Sequence, residues 1–111
     1  MDKTTEIVVM GFLDLVAERK IAGRAELAAT QDTIAQWMGQ RTDLPLKSRH
    51  IQILVATLAE AGIISIGGQG IGKPNLYTTR EQEMGSEQFW NQVDALLTVW
   101  KHPARKEIAG G

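Results

Sequence analysis

The segment GGQGIGKPN, residues 67–75, has most of the spacing of a phosphate-binding loop. Gly67 and Gly72 are separated by four residues and Lys73 follows directly, which matches G-x-x-x-x-G-K. Such a loop needs a Ser or Thr after the lysine to hold magnesium, and a helix whose N-terminal amides face the phosphates. Here Pro74 takes the hydroxyl position, and NLYTT does not begin a helix. We therefore expect no nucleotide at residues 67–73.

The same glycines favour a β-hairpin over residues 63–80. IISI is rich in β-branched residues and NLYTT alternates apolar with polar side chains, with the glycine-rich stretch between them. Glycine permits the positive φ angles that a tight connection requires. Lys73 then lies near the tip, and Pro74 is tolerated where an edge strand begins.

The residue types give little support to a metal site, a cofactor site or a catalytic site. The chain has no cysteine, and its two histidines, His50 and His102, lack the spacing of metal ligands. Carboxylate pairs such as Glu81 and Glu83 are of the kind that any exposed helix or loop carries. We expect no enzyme activity, no cofactor and no metal, and we expect His50 to be a partly exposed helix residue.

Positive charge is concentrated in the middle third of the chain. The formal net charge is −1, yet residues 41–80 carry +3, whereas residues 1–40 and 81–111 each carry −2. This asymmetry is either an electrostatic footprint for nucleic acid or a chance clustering of few charges. The basic residues of the middle third are Arg41, Lys47, Arg49, Lys73 and Arg80.

Helical patterns precede and follow the hairpin. A long apolar helix capped by Thr4 or Thr5 opens the chain, and an extended or irregular connector leads to Thr30. Thr30 caps a short helix that Gly39 should end, and Gly62 ends a helix of about residues 46–61. A last helix covers residues 86–101. Helical spacing assigns Trp37, Trp90 and Trp100 to packing rather than to stacking on a ligand.

These patterns predict one domain over residues 1–101, mainly α with a small β-hairpin, in the α+β class. Residues 102–111 are expected to form a disordered tail. No apolar run approaches the length of a membrane span and the N-terminus lacks a signal-peptide pattern, so we expect a cytoplasmic protein without membrane contact.

Three segments in order resemble the winged helix-turn-helix of bacterial, plasmid and phage transcription regulators. TQDTIAQWMG resembles the positioning helix, RHIQILVATLAEAGII the recognition helix, and GQGIGKPNLYTT the wing. The resemblance covers about residues 24–80, with the helix-turn-helix at 30–62 and the wing at 63–80. The chain departs from the pattern where QRTDLP lengthens the turn between the two helices, and no individual regulator family is assigned.

The resemblance implies sequence-specific binding of double-stranded DNA, with the recognition helix in the major groove. Arg49 is expected to contact guanine, Gln52 adenine and Ile53 a thymine methyl group. Phosphate and backbone contacts are expected from the remaining candidates, with Lys73 on the backbone or minor groove: Arg41, Lys47, Ser48, Lys73 and Arg80.

The expected regulator is a homodimeric repressor that pairs through its N- and C-terminal helices. The alternative for these helices is that they only close the core of a monomer. Two other functions remain open: a plasmid or phage replication or partition protein, and a winged-helix adaptor or inhibitor that binds protein rather than DNA.

Overall fold

A computed structural model describes residues 2–21 and 23–108 of the chain. Its helices are α1 (Lys3–Glu18), α2 (Gln31–Thr42), α3 (Ser48–Glu60), α4 (Glu81–Met84), α5 (Ser86–Val99) and α6 (Ala104–Ile108). Its strands are β1 (Lys20–Ile21), β2 (Arg24–Ala28), β3 (Ile64–Gly67) and β4 (Leu76–Thr79). The prediction of a mainly helical α+β chain with a small β structure is confirmed.

The hairpin predicted over residues 63–80 is formed by β3 and β4. The two strands pair antiparallel, with Ile64 opposite Thr79 and Gly67 opposite Leu76. The other side of β4 pairs antiparallel with β2, so Leu27 lies opposite Tyr77. The sheet order is β1-β2-β4-β3. The connector before Thr30 therefore includes a strand that joins the hairpin to the body of the domain.

Helix α1 lies in the middle of the core. Its apolar side chains are buried around most of the helix, at Val8, Val9, Phe12, Leu13, Leu15 and Val16. Phe12 packs edge-to-face against Tyr77 of β4, with ring centroids 6.0 Å apart. The apolar circumference that suggested a subunit interface is thus occupied within a single chain. For α1, this burial favours the alternative of a helix that closes the monomer core.

Two helix ends differ from the predicted ones, because other residues supply the caps. Asp2, rather than Thr4 or Thr5, caps α1 by accepting a 2.9 Å hydrogen bond from the Thr5 amide. Helix α2 does not stop at Gly39 but continues to Thr42, and Asp43 ends it with a left-handed φ of 59°. Gly62 follows α3 with a φ of 75°, in the turn that leads into β3.

Thr30 caps α2, as the sequence predicted, and this contact gives a test of local stability. Its hydroxyl accepts a 3.2 Å hydrogen bond from the Thr33 amide. We expect Thr30→Ala to lower the free energy of unfolding by about 1 kcal/mol, because an amide of the first turn loses its acceptor. Urea denaturation measures the loss. Thr30→Ser, which keeps the oxygen, should retain most of the stability, and an equal loss in both variants would contradict the role of the cap.

The expectation of a disordered tail is wrong for residues 102–108. His102 is fully buried, and its backbone amide donates a 2.8 Å hydrogen bond to the Thr5 hydroxyl on α1. Ala104 is also buried where α6 begins. The segment orders because a buried anchor secures it to the first helix. Residues 109–111, the rest of the expected tail, lie outside the described residues.

Candidate nucleic-acid interface

Helix α3 separates its residues into a buried face and an exposed face. Ile51, Leu54, Val55 and Leu58 are buried in the core. On the exposed face lie Arg49, Gln52 and Ile53, and 37% of the Ile53 surface is accessible to solvent. Lys47 is exposed just before the helix, and Ser48 is half-buried at its first position. Five of the predicted site residues therefore lie together on the N-terminal half of α3.

The N-terminus of α3 has open hydrogen-bonding capacity. Lys47 occupies the cap position, and an ammonium group has no acceptor to offer to the first amides. Within residues 2–21 and 23–108, no acceptor contacts the amides of Ser48 and Arg49. Unpaired amides at a helix N-terminus, beside a positive side chain, are suited to bind an anion such as a DNA phosphate.

A carboxylate from α6 contacts this end of α3. Glu107 accepts hydrogen bonds from the Arg49 guanidinium through Oε1 and from His50 Nε2, at 2.9 Å, through Oε2. The bond from His50, together with the Arg49 charge, lowers the pKa of Glu107. The residue predicted to recognise guanine is therefore ion-paired within the chain.

Two buried histidines hold α6 against α3. His50, expected to be partly exposed, is only 2% exposed, and its Nδ1 accepts a 2.9 Å hydrogen bond from the Lys47 amide. His102 Nδ1 accepts from the Ala104 amide, so the opposite nitrogen, Nε2, donates to the His50 carbonyl at 2.9 Å. In each ring Nδ1 thus accepts a hydrogen bond from a backbone amide, and Nε2 contacts an oxygen of the facing segment.

The tip of the β3–β4 hairpin is exposed over residues 68–73, with Lys73 at its end. Gly70 and Gly72 take positive φ angles of 118° and 77°, which permit the tight reversal. The Gln69 side chain donates a 2.8 Å hydrogen bond to the Pro74 carbonyl across the loop. Ile71, between the two glycines, is fully exposed. The tip of the hairpin therefore presents one positive side chain, Lys73, and one apolar side chain, Ile71.

The remaining two predicted site residues make structural ion pairs. Arg41, at the end of α2, binds the Glu18 carboxylate at the end of α1, with one hydrogen bond of 2.8 Å. Arg80 donates to the Gly62 carbonyl at 3.0 Å and to both Glu83 oxygens at 3.2 Å. Arg80 thus stabilises the turn at the opposite end of α3 from Arg49, and the geometry favours a structural role for it.

The sequence interpretation missed Glu107 and His102, although a signal for α6 was present. Pro103 precedes Ala-Arg-Lys-Glu, and proline just before a run of helix-forming residues is a common start of a helix. The signal for the histidine contacts is absent from local sequence, because His50 and His102 are 52 positions apart.

Other kinds of site have weaker support. Within residues 2–21 and 23–108, no three His, Asp or Glu side chains are grouped to hold a metal ion. A groove of about 540 Å³ lies beside β4, but its two arginines, Arg24 and Arg80, are each paired with a carboxylate. No helix in the described part of the chain is both long and apolar enough to cross a membrane.

Comparisons with protein-family models, with curated proteins and with solved structures found no match to this chain. The geometry and charge of the α3 surface and of the hairpin tip are therefore the basis for assigning a function to them.

Proposed function

We propose that this chain is a winged helix-turn-helix protein that binds double-stranded DNA and regulates transcription, as a homodimeric repressor. The observation that carries the proposal is the exposed N-terminal half of α3, where positive and hydrogen-bonding side chains adjoin two open backbone amides. The order of elements supports the fold: a core helix, a strand, two successive helices and a hairpin that pairs with that strand. The hairpin β3–β4 then corresponds to the wing.

In the proposed complex, α3 enters the major groove with its N-terminus first. Arg49 donates two hydrogen bonds to guanine, Gln52 pairs with adenine, and Ile53 contacts a thymine methyl group. Lys47 and the amides of Ser48 and Arg49 hold phosphates and so fix the register. Lys73 contacts the backbone or minor groove from the wing. Dimerisation would add a second half-site about one DNA turn (~34–36 Å) away.

The proposed dimer requires a surface other than the buried face of α1. Helix α5 buries Phe89, Val93 and Leu97 and leaves Val99 79% exposed, while Trp90 and Trp100 are half-buried. The outer side of α5 is thus the part of the predicted interface that remains accessible.

Selection of genomic DNA fragments with purified protein tests the proposal. We expect wild-type protein to enrich a short palindrome, and Arg49→Ala with Gln52→Ala to lose the enrichment, because each good bidentate contact discriminates by ~1–3 kcal/mol. Arg24→Ala with Gln82→Ala is a matched control. It removes the same two residue types from exposed positions on β2 and α4, outside both α3 and the proposed dimer surface on α5.

Salt dependence separates the proposed function from its rivals. Contacts to several phosphates should make the binding constant fall steeply as salt rises. Enrichment of tandem repeats instead of a palindrome would favour a replication or partition protein. If no fragment is enriched at low or moderate salt, the proposal fails.

One observation favours the adaptor or inhibitor as the second candidate. Arg41, Arg49 and Arg80 each pair with a carboxylate of the same chain, which leaves less positive charge to attract DNA. The exposed Ile53 and Ile71 would then contact a protein partner. This candidate predicts that the affinity for a protein partner is insensitive to salt and that DNA is not bound.

A further inference from the structure

Glu107 of α6 binds the Arg49 guanidinium at the N-terminal end of α3, and this guanidinium is the group that would contact DNA in the proposed complex. We propose that α6 is an autoinhibitory element, in which the Glu107 carboxylate competes with DNA for Arg49. This inference rests on the proposed function and names a regulation of the same site.

The chemistry of the contact resembles that of a phosphate contact. A carboxylate presents two oxygens to a guanidinium in the way that a phosphate or the O6 and N7 edge of guanine does. One Glu107 oxygen is bound by Arg49 and the other by His50. Arg49 therefore exchanges one partner for another when it binds DNA, and the carboxylate left beside the helix repels nearby phosphates.

The burial of the segment shows which part of it is able to move. His102 and Ala104 are fully buried, and they secure the start of α6 to α1 and α3. The side chain of Glu107 is 45% exposed, and that of Arg49 is 55% exposed. An ion pair exposed to this degree stabilises a fold only weakly. The Glu107 end can therefore detach while the His102 anchor stays in place, and the core remains folded.

A double-mutant cycle on DNA binding tests the proposal. Wild type, Glu107→Gln, Arg49→Ala and the double variant are titrated against the enriched fragment, with fluorescence anisotropy as the readout. We expect Glu107→Gln to bind about fivefold more tightly, a change that matches an exposed ion pair. The gain should shrink when Arg49 is already alanine, because the competition acts through the guanidinium.

Glu60→Gln is the matched control for a general charge effect. Glu60 is an exposed carboxylate at the far end of α3. Its removal should strengthen binding less than Glu107→Gln and by the same factor with or without Arg49. Glu107→Ala is a second variant, and circular dichroism verifies that every variant is folded.

Hydrogen exchange gives a readout that does not depend on affinity. Addition of the fragment to wild-type protein should accelerate exchange of the amides of residues 105–107, because α6 leaves α3 when DNA binds. Unchanged exchange there, in a complex that has formed, would overturn the proposal.

The other outcomes separate this inference from the proposed function. Weaker binding by Glu107→Gln would make Glu107 a residue that positions Arg49 for the base, which overturns autoinhibition. An equal gain with and without Arg49 would reduce the effect to net charge and overturn it as well. Absence of DNA binding in wild type and in all variants would refute the proposed function itself, whereas binding only after Glu107→Gln would support both.

Discussion

Phe12→Ala should lower the free energy of unfolding by ~3–5 kcal/mol, the usual cost of truncating a fully buried phenylalanine. The Phe12 side chain is fully buried on the central helix, and its ring packs edge-to-face on Tyr77. Truncation therefore removes apolar burial, an aromatic pair and part of the contact between α1 and the sheet. Since domains of this kind are stable by only ~5–15 kcal/mol, the variant should lie close to its unfolding threshold.

Urea denaturation of the variant, followed by circular dichroism, measures this loss. Ile71→Ala is the control, because that side chain is apolar but fully exposed at the hairpin tip, and it should change stability by less than about 0.5 kcal/mol. A loss below about 1 kcal/mol for Phe12→Ala would mean that α1 does not form the centre of the core. If wild-type stability depended on protein concentration and Phe12→Ala removed that dependence, a subunit interface through α1 would regain support.

The helices and the hairpin could be predicted because their signals are local. Ile51, Leu54, Val55 and Leu58 repeat at helical spacing, and the glycine-rich loop lies between two short β-forming runs. These features determine the element type wherever the segment lies in the fold. They do not determine the ends, so α2 extends past Gly39 to a left-handed Asp43.

The pairing of β2 and the packing of α6 depend on distant partners, so the first segment was expected only as an extended or irregular connector and the second as a disordered tail. RAELA contains no β-branched residue, and its pairing is supplied by β4, about fifty positions away in the chain. The segment after residue 101 looks polar and short, and its order comes from His102 contacts with Thr5 and His50. Neither interaction leaves a periodic trace in the local sequence.

The sequence predicted which side chains share the exposed face of α3, but it did not predict which arginines form ion pairs within the chain. The alternation of buried and exposed positions along α3 places Arg49, Gln52 and Ile53 together, as helical spacing required. The carboxylates that bind Arg41 and Arg49 come from distant elements, whereas Glu83 lies only three positions after Arg80. A count of charge in the middle third therefore overstated how much of it is free to attract DNA.

Acidification below about pH 6.5 should lower the free energy of unfolding, with a slope of at most about 1.4 kcal/mol per pH unit for the one proton that His102 binds on unfolding. Burial lowers the pKa of His102 below its ordinary value of 6.5. The unfolded chain consequently binds a proton first as pH falls. The stability that uncharged His102 contributes is fully present above the ordinary pKa of histidine, and it declines as the pH falls below that value.

The hydrogen bonds around His102 give the physical reason for this sign. Its Nδ1 accepts from the Ala104 amide, so a proton added there would face another N–H group. The Trp100 ring also packs on the imidazole, at 5.3 Å between centroids. The ionisable side chains that act on His102 are His50 and Glu107, and the carboxylate partly offsets the cost of a positive charge.

Urea denaturation in steps between about pH 7.5 and about pH 5 measures the decline, within a window chosen above the range where carboxylates titrate. The carboxyls of Asp2 and Glu107 have lowered pKa values, so they lose their contribution at still lower pH. His102→Gln keeps an amide that donates and accepts hydrogen bonds but does not titrate, and it should flatten the pH dependence. A slope that persists unchanged in His102→Gln would assign the proton uptake to another group. The buried anchor of α6 would then be insensitive to acid, and release of Arg49 would depend only on the competition between DNA and Glu107 for its guanidinium.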